Sequence, residues 1–222
     1  MTTKITDRYF KYGGHKYFRV SAHEVNLCSY GQKRVPLGHT GYLDVSGRVN
    51  PRHLADEPIK VNVIDIDWDR VTNTDIGVTG GLTYQGVGVN ASHAFSLNRA
   101  RDAQLELVSF SIDENPLERV LNREANYVRR QMEEEGNDAR IVSKTCVAME
   151  ARLADDLTVS TLSAADLDYA GSSLKVNIGT KVRNRSVVTL APGTTFAYRL
   201  NRIRRWNGNR TRVEDLSLDY VD

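Results

Sequence analysis

The sequence has few of the residues that cross-link small secreted or metal-dependent proteins. It contains two cysteines among 222 residues, Cys28 and Cys146, and neither has another Cys or a His at metal-ligand spacing. We therefore expect two buried free thiols, no disulfide and no bound metal. A chain of this length buries about 70% of the surface that its unfolded form exposes, so it can fold without such cross-links.

Long apolar runs are also lacking. The sequence has no stretch of about 18 consecutive apolar residues, and the segment MTTKITDRYFKYGGHKYF lacks the apolar centre of a signal peptide. Apolar residues make up 40% of the chain and charged residues 26%, which is ordinary for a globular protein. These features exclude a disordered chain and predict a protein that is cytoplasmic and soluble in its resting form.

Motifs of the common enzyme classes are absent as well. There is no GxSxG motif, no phosphate-binding P-loop and no dinucleotide-binding glycine pattern, and the five histidines do not share a metalloprotease or zinc-finger spacing. Neighbouring carboxylates such as Asp65 and Asp67 are explained by solvated strand faces. We expect a protein that is not an enzyme and uses no cofactor, with an enzyme kept as a third alternative.

What the sequence does contain is alternation of apolar and polar residues. The alternation predicts one strand in LELVSFSI and one in RIVSKTCVAMEARL. It predicts a strand, a tight turn and a second strand in VVTLAPGTTFAYRLNRI. One strong helix is predicted from Asn115, as its N-cap, to Gly136, with Pro116 in the first turn and an apolar face that packs on a sheet. In IKVNVIDIDWDRV the apolar positions change phase after Val63, which predicts a bulge or a sharp bend.

The predicted fold class is therefore α+β, with a twisted, mainly antiparallel sheet and one or two packed helices. Residues 1–212 are predicted to form a single domain, and residues 213–222 a short acidic tail. The tail, VEDLSLDYVD, has four acidic residues and no basic one. We expect it to fold back over the neighbouring basic segment and mask it.

That basic segment is the most unusual feature of the charge distribution. Residues 181–212 hold nine lysines and arginines and no acidic residue, whereas the other 190 residues hold 21 basic and 28 acidic side chains, a net charge of −7. Basic side chains near an anionic membrane contribute about 1 kcal/mol each, and tryptophan settles at the headgroup interface. The predicted lipid-binding patch comprises Lys181, Arg183, Arg185, Arg199, Arg202, Arg204, Arg205 and Trp206.

Two other interpretations of the basic segment stay open. The same side chains could bind nucleic-acid phosphates, with Trp206 stacking on bases, although no RRM, KH or helix-turn-helix pattern accompanies them. The segment could also be a solvated face with no binding role. The sequence favours a membrane over nucleic acid as the partner.

Two further stretches alternate with Gly, Ser, Thr and Asn on their polar side, at residues 76–97 and 157–190. A membrane-crossing strand needs about 9 to 11 residues with one apolar and one polar face, and each stretch is long enough for two such strands. The alternative is that both are edge hairpins of a soluble sheet. The predicted membrane-insertion positions are Val78, Leu82, Tyr84, Val87, Val89, Leu174, Val176, Ile178 and Val182.

In the order of these elements, residues 76–203 resemble the pore-forming domain of the gasdermins, including their bacterial and fungal relatives. A small-residue amphipathic stretch leads into AQLELVSFSI and the helix after Pro116. RIVSKTCVAME, a second amphipathic stretch and VVTLAPGTTFAYRLNRI follow. The resemblance implies a gasdermin-N-like fold, oligomerisation on acidic lipids, and insertion of hairpins from residues 76–97 and 160–190, which leads to lysis and cell death.

The predicted function is thus that of a pore-forming protein whose partners are an anionic phospholipid membrane and further copies of the chain. It would be at the membrane when active. Because no large inhibitory domain follows the basic segment, we expect control by the acidic tail or by a regulatory partner. The alternative is a non-lytic β-rich binding or assembly module whose basic face binds an acidic partner or nucleic acid.

Overall fold

A curled antiparallel sheet carries most of the chain that the computed structural model describes. The described residues are 4–5, 8–37, 40–54, 56–64, 66, 105–150, 167–170, 173–178, 186–190 and 195–221. Within them ten strands form the main sheet and three form a smaller one. The predicted α+β class, with a mainly antiparallel sheet and packed helices, is confirmed.

The elements follow one another in this order along the chain. The strands of the main sheet are β1 Lys4–Ile5, β2 Tyr9–Tyr12, β3 His15–Phe18, β4 Ser29–Arg34, β5 Tyr42–Arg48, β6 Lys60–Ile64, β7 Leu105–Ser111, β8 Ala139–Glu150, β12 Thr195–Trp206 and β13 Val213–Asp219. The small sheet consists of β9 Leu167–Ala170, β10 Ser173–Ile178 and β11 Ser186–Leu190. The helices are α1 Glu114–Arg123 and α2 Asn126–Glu135, and short 3-10 turns cover Ala22–Glu24, Pro51–Leu54 and Gly136–Asp138.

The two longest strands, β8 and β12, form the centre of the main sheet. They pair with each other between Arg140 and Val147 of β8. The other edge of β8 pairs with β4 near its start and with β7 along its second half. The other edge of β12 pairs with β13 and, through Tyr198 opposite Phe18, with β3. Most of the predicted acidic tail is therefore a strand of this sheet.

The predicted helix is two helices. Ala125, between α1 and α2, has non-helical backbone angles, and the N–H groups of Glu124 and Ala125 both donate to the Val120 carbonyl oxygen. Arg129 Nη1 donates to the carbonyl oxygens of Leu121 and Asn122, at 3.4 and 3.2 Å, and so satisfies acceptors that the break leaves free. The prediction of one continuous helix was wrong at this position.

Of the two predicted ends of the helical region, the C-terminal end was correct and the N-cap was wrong. The N-cap position is Asp113, and its carboxylate pairs with Lys60 Nζ without making a capping hydrogen bond, so Asn115 lies inside the first turn. Gly136 ends α2 with φ of 65°, in the left-handed region that glycine adopts without a steric cost. The end of the helix was thus the more predictable of the two.

Both faces of the sheet are covered at β6, and this explains the phase change there. Val61 and Val63 pack against the cluster under the two helices, around Phe110 and Leu117. Ile64 belongs to a second cluster, around Phe10, Tyr17 and Phe196. The register of β6 with β7 is unbroken from Lys60 to Ile64, so no bulge lies there. Adjacent residues point to opposite faces, and here both faces are apolar.

The two cysteines are free and completely buried, as predicted. Burial raises the pKa of the Cys28 thiol and of the Cys146 thiol to about 12. Both are therefore protonated, unreactive thiols at neutral pH.

Strand β13 is held at its far end by a buried ionic cluster. Asp219 lies 2.7 Å from Arg140 Nε and 3.2 Å from Lys33 Nζ, and about a tenth of each side chain is exposed. Lys33 Nζ also donates to the Tyr220 carbonyl oxygen at 3.2 Å. The cluster joins β13 to β4 and β8, which are not its neighbours in the sheet.

We expect Asp219→Asn to lower the free energy of unfolding by about 3 kcal/mol, because it removes the carboxylate that two buried cations share. The measurement is urea denaturation. Asp44→Asn is the matched control, since Asp44 pairs with Arg34 and more than half of each side chain is exposed. It should cost at most about 1 kcal/mol. Equal losses in the two variants would contradict a structural role for the cluster.

Candidate functional site

The predicted lipid-binding patch is only partly within the described structure. Lys181, Arg183 and Arg185 lie outside the described residues. The other five positions all lie on β12. Arg202, Arg204 and Arg205 are exposed, whereas Arg199 and Trp206 are half-buried.

Acidic residues of β13 lie beside the exposed arginines. Arg205 Nε is 3.0 Å from Glu214 Oε2, and Arg204 Nη1 is 3.5 Å from Asp215 Oδ2. Both arginine side chains stay about two-thirds exposed. Exposed ion pairs contribute only about 0 to 1 kcal/mol, so another anion can replace these carboxylates at small cost.

Trp206 is directed toward the interior. With Ile203, it packs against the apolar cluster under the helices. Its indole is therefore part of the packing between β12 and the helices, and only part of it reaches the surface where the arginines lie.

The turn after β12 presents two more basic side chains. Asn207 Oδ1 accepts hydrogen bonds from the backbone N–H groups of Thr211 and Arg212, at 2.8 and 3.0 Å. Arg210 has a φ of 53°, as such a tight turn requires. The exposed side chains of Arg210 and Arg212 make no ion pair within the described part of the chain.

Helix α1 fixes the position of β13, and hence of its acidic residues. Asn122 donates to the Val213 carbonyl oxygen and accepts from the Val213 N–H, both at 2.8 Å. Glu118 Oε1 accepts from the Leu216 N–H at 2.9 Å. Burial raises the pKa of the Glu118 carboxyl, and the nearby Asp215 and Glu114 add to the rise, while the Leu216 N–H opposes it.

A row of lysines on the N-terminal strands was not predicted. Lys4 is the cross-strand partner of Lys11, and Lys11 is the partner of Lys16. All three are exposed, and none makes an ion pair with any residue that the structure describes. We call these residues the lysine row. Like charges directly opposite each other on paired strands destabilise a sheet.

A local signal in the sequence could have revealed part of this row. Gly13 and Gly14 have φ of 59° and 84° and form the two-residue turn of the β2–β3 hairpin. The Gly-Gly pair favours such a turn. In the hairpin that it forms, residues at equal distances from the turn lie opposite each other. Lys11 and Lys16 are therefore opposite by spacing alone.

An exposed apolar loop follows β4. Leu37 is completely exposed and Val35 is 56% exposed, after the basic residues Lys33 and Arg34. Tyr220, whose carbonyl oxygen accepts from Lys33, is 64% exposed. Sequence reasoning did not single out these apolar side chains, because Val-Pro-Leu-Gly reads only as a turn.

The predicted insertion positions are described in part. Val78, Leu82, Tyr84, Val87, Val89 and Val182 lie outside the described residues. Leu174, Val176 and Ile178 are on β10, the middle strand of the small sheet. In register, Leu174 is opposite Leu190, and Val176 is opposite both Val188 and Leu167. Leu174 and Val176 thus have apolar cross-strand partners, whereas Ile178 is opposite Ser186.

Comparisons with known proteins add no family. No protein-family model matches the chain, and neither a curated protein nor a solved structure matches it. The resemblance to the gasdermins therefore stays a prediction. Within the described residues, no helix has the length and apolar character to cross a membrane.

We expect Glu118→Gln to change the pH dependence of stability. Because the folded-state pKa of Glu118 is raised, the stability that this group contributes is present below its ordinary pKa and is lost as pH rises through the folded-state pKa. Glutamine can still accept from the Leu216 N–H and carries no charge. The free energy of unfolding of the variant, relative to the wild type, should therefore be higher at pH 7 than at pH 4, measured by urea denaturation. A constant difference would contradict the assignment.

Proposed function

We propose that the protein binds anionic membranes, oligomerises on them and perforates them by inserting β-hairpins, which causes lysis or cell death. The observation that carries the membrane step is the lysine row, Lys4, Lys11 and Lys16. Three exposed cations in register, with no acidic partner among the described residues, are costly in a free protein. An anionic lipid surface offsets that cost.

Energetics favour a surface with many charges as the partner. Each lysine near an anionic bilayer contributes about 1 kcal/mol, so the row contributes about 3 kcal/mol, and less at high salt. Adjacent strands lie about 4.8 Å apart, so the three charges can engage neighbouring headgroups at the same time. The cationic side chains of Arg210 and Arg212 can add to the attachment.

The exposed apolar loop supports a membrane rather than a purely polar partner. Leu37 is completely exposed, and Val35 beside it is 56% exposed. The free energy falls when such an apolar side chain enters the interfacial region of a bilayer, whereas contact with a nucleic-acid backbone does not lower it. This favours a lipid partner over nucleic acid.

The insertion step rests on the amphipathic stretches and on the gasdermin resemblance. In the small sheet, the pairing of β10 with β9 and β11 sets Leu174 and Val176 opposite apolar residues. β10 has six residues, fewer than the roughly nine that cross a bilayer, so insertion would lengthen it. Within the described residues, the small sheet makes no strand pair with the main sheet. Lengthening β10 therefore breaks no described ladder of the main sheet.

Replacement of the lysine row by Gln (Lys4→Gln, Lys11→Gln and Lys16→Gln together) should weaken binding to anionic vesicles roughly a hundredfold, because about 3 kcal/mol of attraction is lost. Dye release should fall in parallel. Flotation with vesicles and dye release, from anionic and from neutral vesicles, measure the two effects.

The matched control removes three other exposed cations and so has the same net charge. Arg34, Lys60 and Arg119 are each paired with a carboxylate, and their combined change to Gln should affect binding much less. No dye release by the wild type from any anionic vesicle would overturn the pore-forming proposal. Binding without release, or a stronger shift of nucleic acid at the same salt, would favour the non-lytic binding module.

A second prediction concerns the carboxylates of β13. Glu214→Gln combined with Asp215→Asn should strengthen binding to anionic vesicles severalfold, because Arg204 and Arg205 lose competing partners. The free energy of unfolding should change by less than about 1 kcal/mol, because both pairs are exposed. Flotation at low and high salt is the measurement. Unchanged binding at low salt would show that these arginines do not contact lipid.

A further inference from the structure

Two half-buried cations lie opposite each other at the centre of the main sheet. Arg199 on β12 is the cross-strand partner of Lys144 on β8. Both residues are partly shielded from solvent. Next to this pair the register shifts between Arg199 and Leu200, so the β8 strand has an extra residue, Ser143, at this point.

Neither cation has a counter-charge among the residues that the structure describes. Arg199 Nε makes one hydrogen bond, to Ser143 Oγ at 3.4 Å, and Lys144 Nζ lies 5.6 Å from the ring centroid of Tyr17. Neither makes an ion pair with a carboxylate in the part of the chain that the structure describes. The other shielded cations of β4 and β8, Lys33 and Arg140, share Asp219.

The electrostatics agree with this geometry. Burial lowers the pKa of the Lys144 ammonium, and the Arg199 guanidinium lowers it as well. The neighbouring Cys146 is a neutral thiol, since burial raises its pKa to about 12. A pair of like charges in a partly desolvated position is unfavourable unless an anion neutralises it.

The donor set fits a phosphate group. A guanidinium offers two parallel N–H groups that match two oxygens of one phosphate, and an ammonium supplies a compact charge for a third. At the bulge, Ser143 Oγ accepts from Arg199 Nε and donates its proton to Asn201 Oδ1, so it holds the guanidinium in place and is not itself a phosphate ligand. A carboxylate can pair with two cations, as Asp219 does with Arg140 and Lys33, but a phosphate brings a third oxygen and a second negative charge to the two cations.

We propose that Lys144 and Arg199 form a binding site for a phosphate group, either of a small soluble anion or of a lipid headgroup. This site is distinct from the lysine row and from the exposed arginines of β12. The lipid source rests on the proposed membrane function. The soluble source does not, and it can be tested with no vesicle present.

The first measurement is the thermal midpoint of the full chain in inorganic phosphate and in sodium chloride of equal ionic strength. The wild type should melt at a higher temperature in phosphate. Lys144→Met and Arg199→Gln should each bind phosphate at least about tenfold more weakly, because each loses a charge-assisted hydrogen bond. The matched control is Arg130→Gln, which removes an exposed arginine of helix α2 outside the predicted lipid-binding patch and should keep the phosphate effect.

The melting temperature in chloride alone separates a loss of phosphate binding from a loss of packing. In chloride, Lys144→Met should melt at or above the wild-type temperature, because methionine keeps most of the apolar stem and removes one of two repelling charges. Two results would overturn the site. One is a wild type that phosphate does not stabilise more than chloride. The other is an equal phosphate effect in the wild type and in both variants.

The source of the phosphate follows from flotation with vesicles that contain phosphatidic acid. If the headgroup is the ligand, Lys144→Met should float less than Arg130→Gln, and free phosphate should compete with the wild type. If the two variants bind vesicles equally well, and phosphate no longer raises the thermal midpoint of Lys144→Met, the ligand is a soluble phosphate. A failure of dye release leaves the thermal result unchanged, so this site and the pore-forming proposal fail separately.

Discussion

The interaction on which the rest of the structure depends is the buried cluster of Asp219 with Arg140 and Lys33. One carboxylate holds two cations from different strands, and it brings the end of β13 to β4 and β8. Asn122 forms two hydrogen bonds with Val213 at the other end, so β13 is held at both ends. Its remaining acidic residues, Glu214 and Asp215, are therefore held beside β12.

Whether a cation is neutralised in this protein depends on which strand lies next to it. The arginines that stand out in the sequence are partly neutralised, because an acidic strand lies next to them. The cations that have no carboxylate partner among the described residues include the lysine row, Lys144 and Arg199. If the proposed function holds, a stable frame supplies the attachment to lipid, and the amphipathic stretches around β10 supply the inserted strands.

Local patterns were enough for much of the fold. Alternation predicted the central strands, Gly136 predicted the end of the helical region, and two isolated cysteines predicted buried thiols. The break at Ala125 could not be predicted, because it depends on Arg129 reaching back to free carbonyl oxygens. Nor could the phase change in β6 be read correctly, since a single sequence does not show that both faces of a strand are covered.

The sequence by itself determined the class of fold, the basic segment and the two-faced stretches, because these follow from composition and from periods of two and 3.6 residues. Only the tertiary structure decided which charges are paired. Lys4 comes opposite Lys11, and Lys144 opposite Arg199, only through strand register, and register depends on how the strands of the sheet are assembled. Electrostatic attraction depends on distance in space, and the order of residues along the chain does not contain that distance.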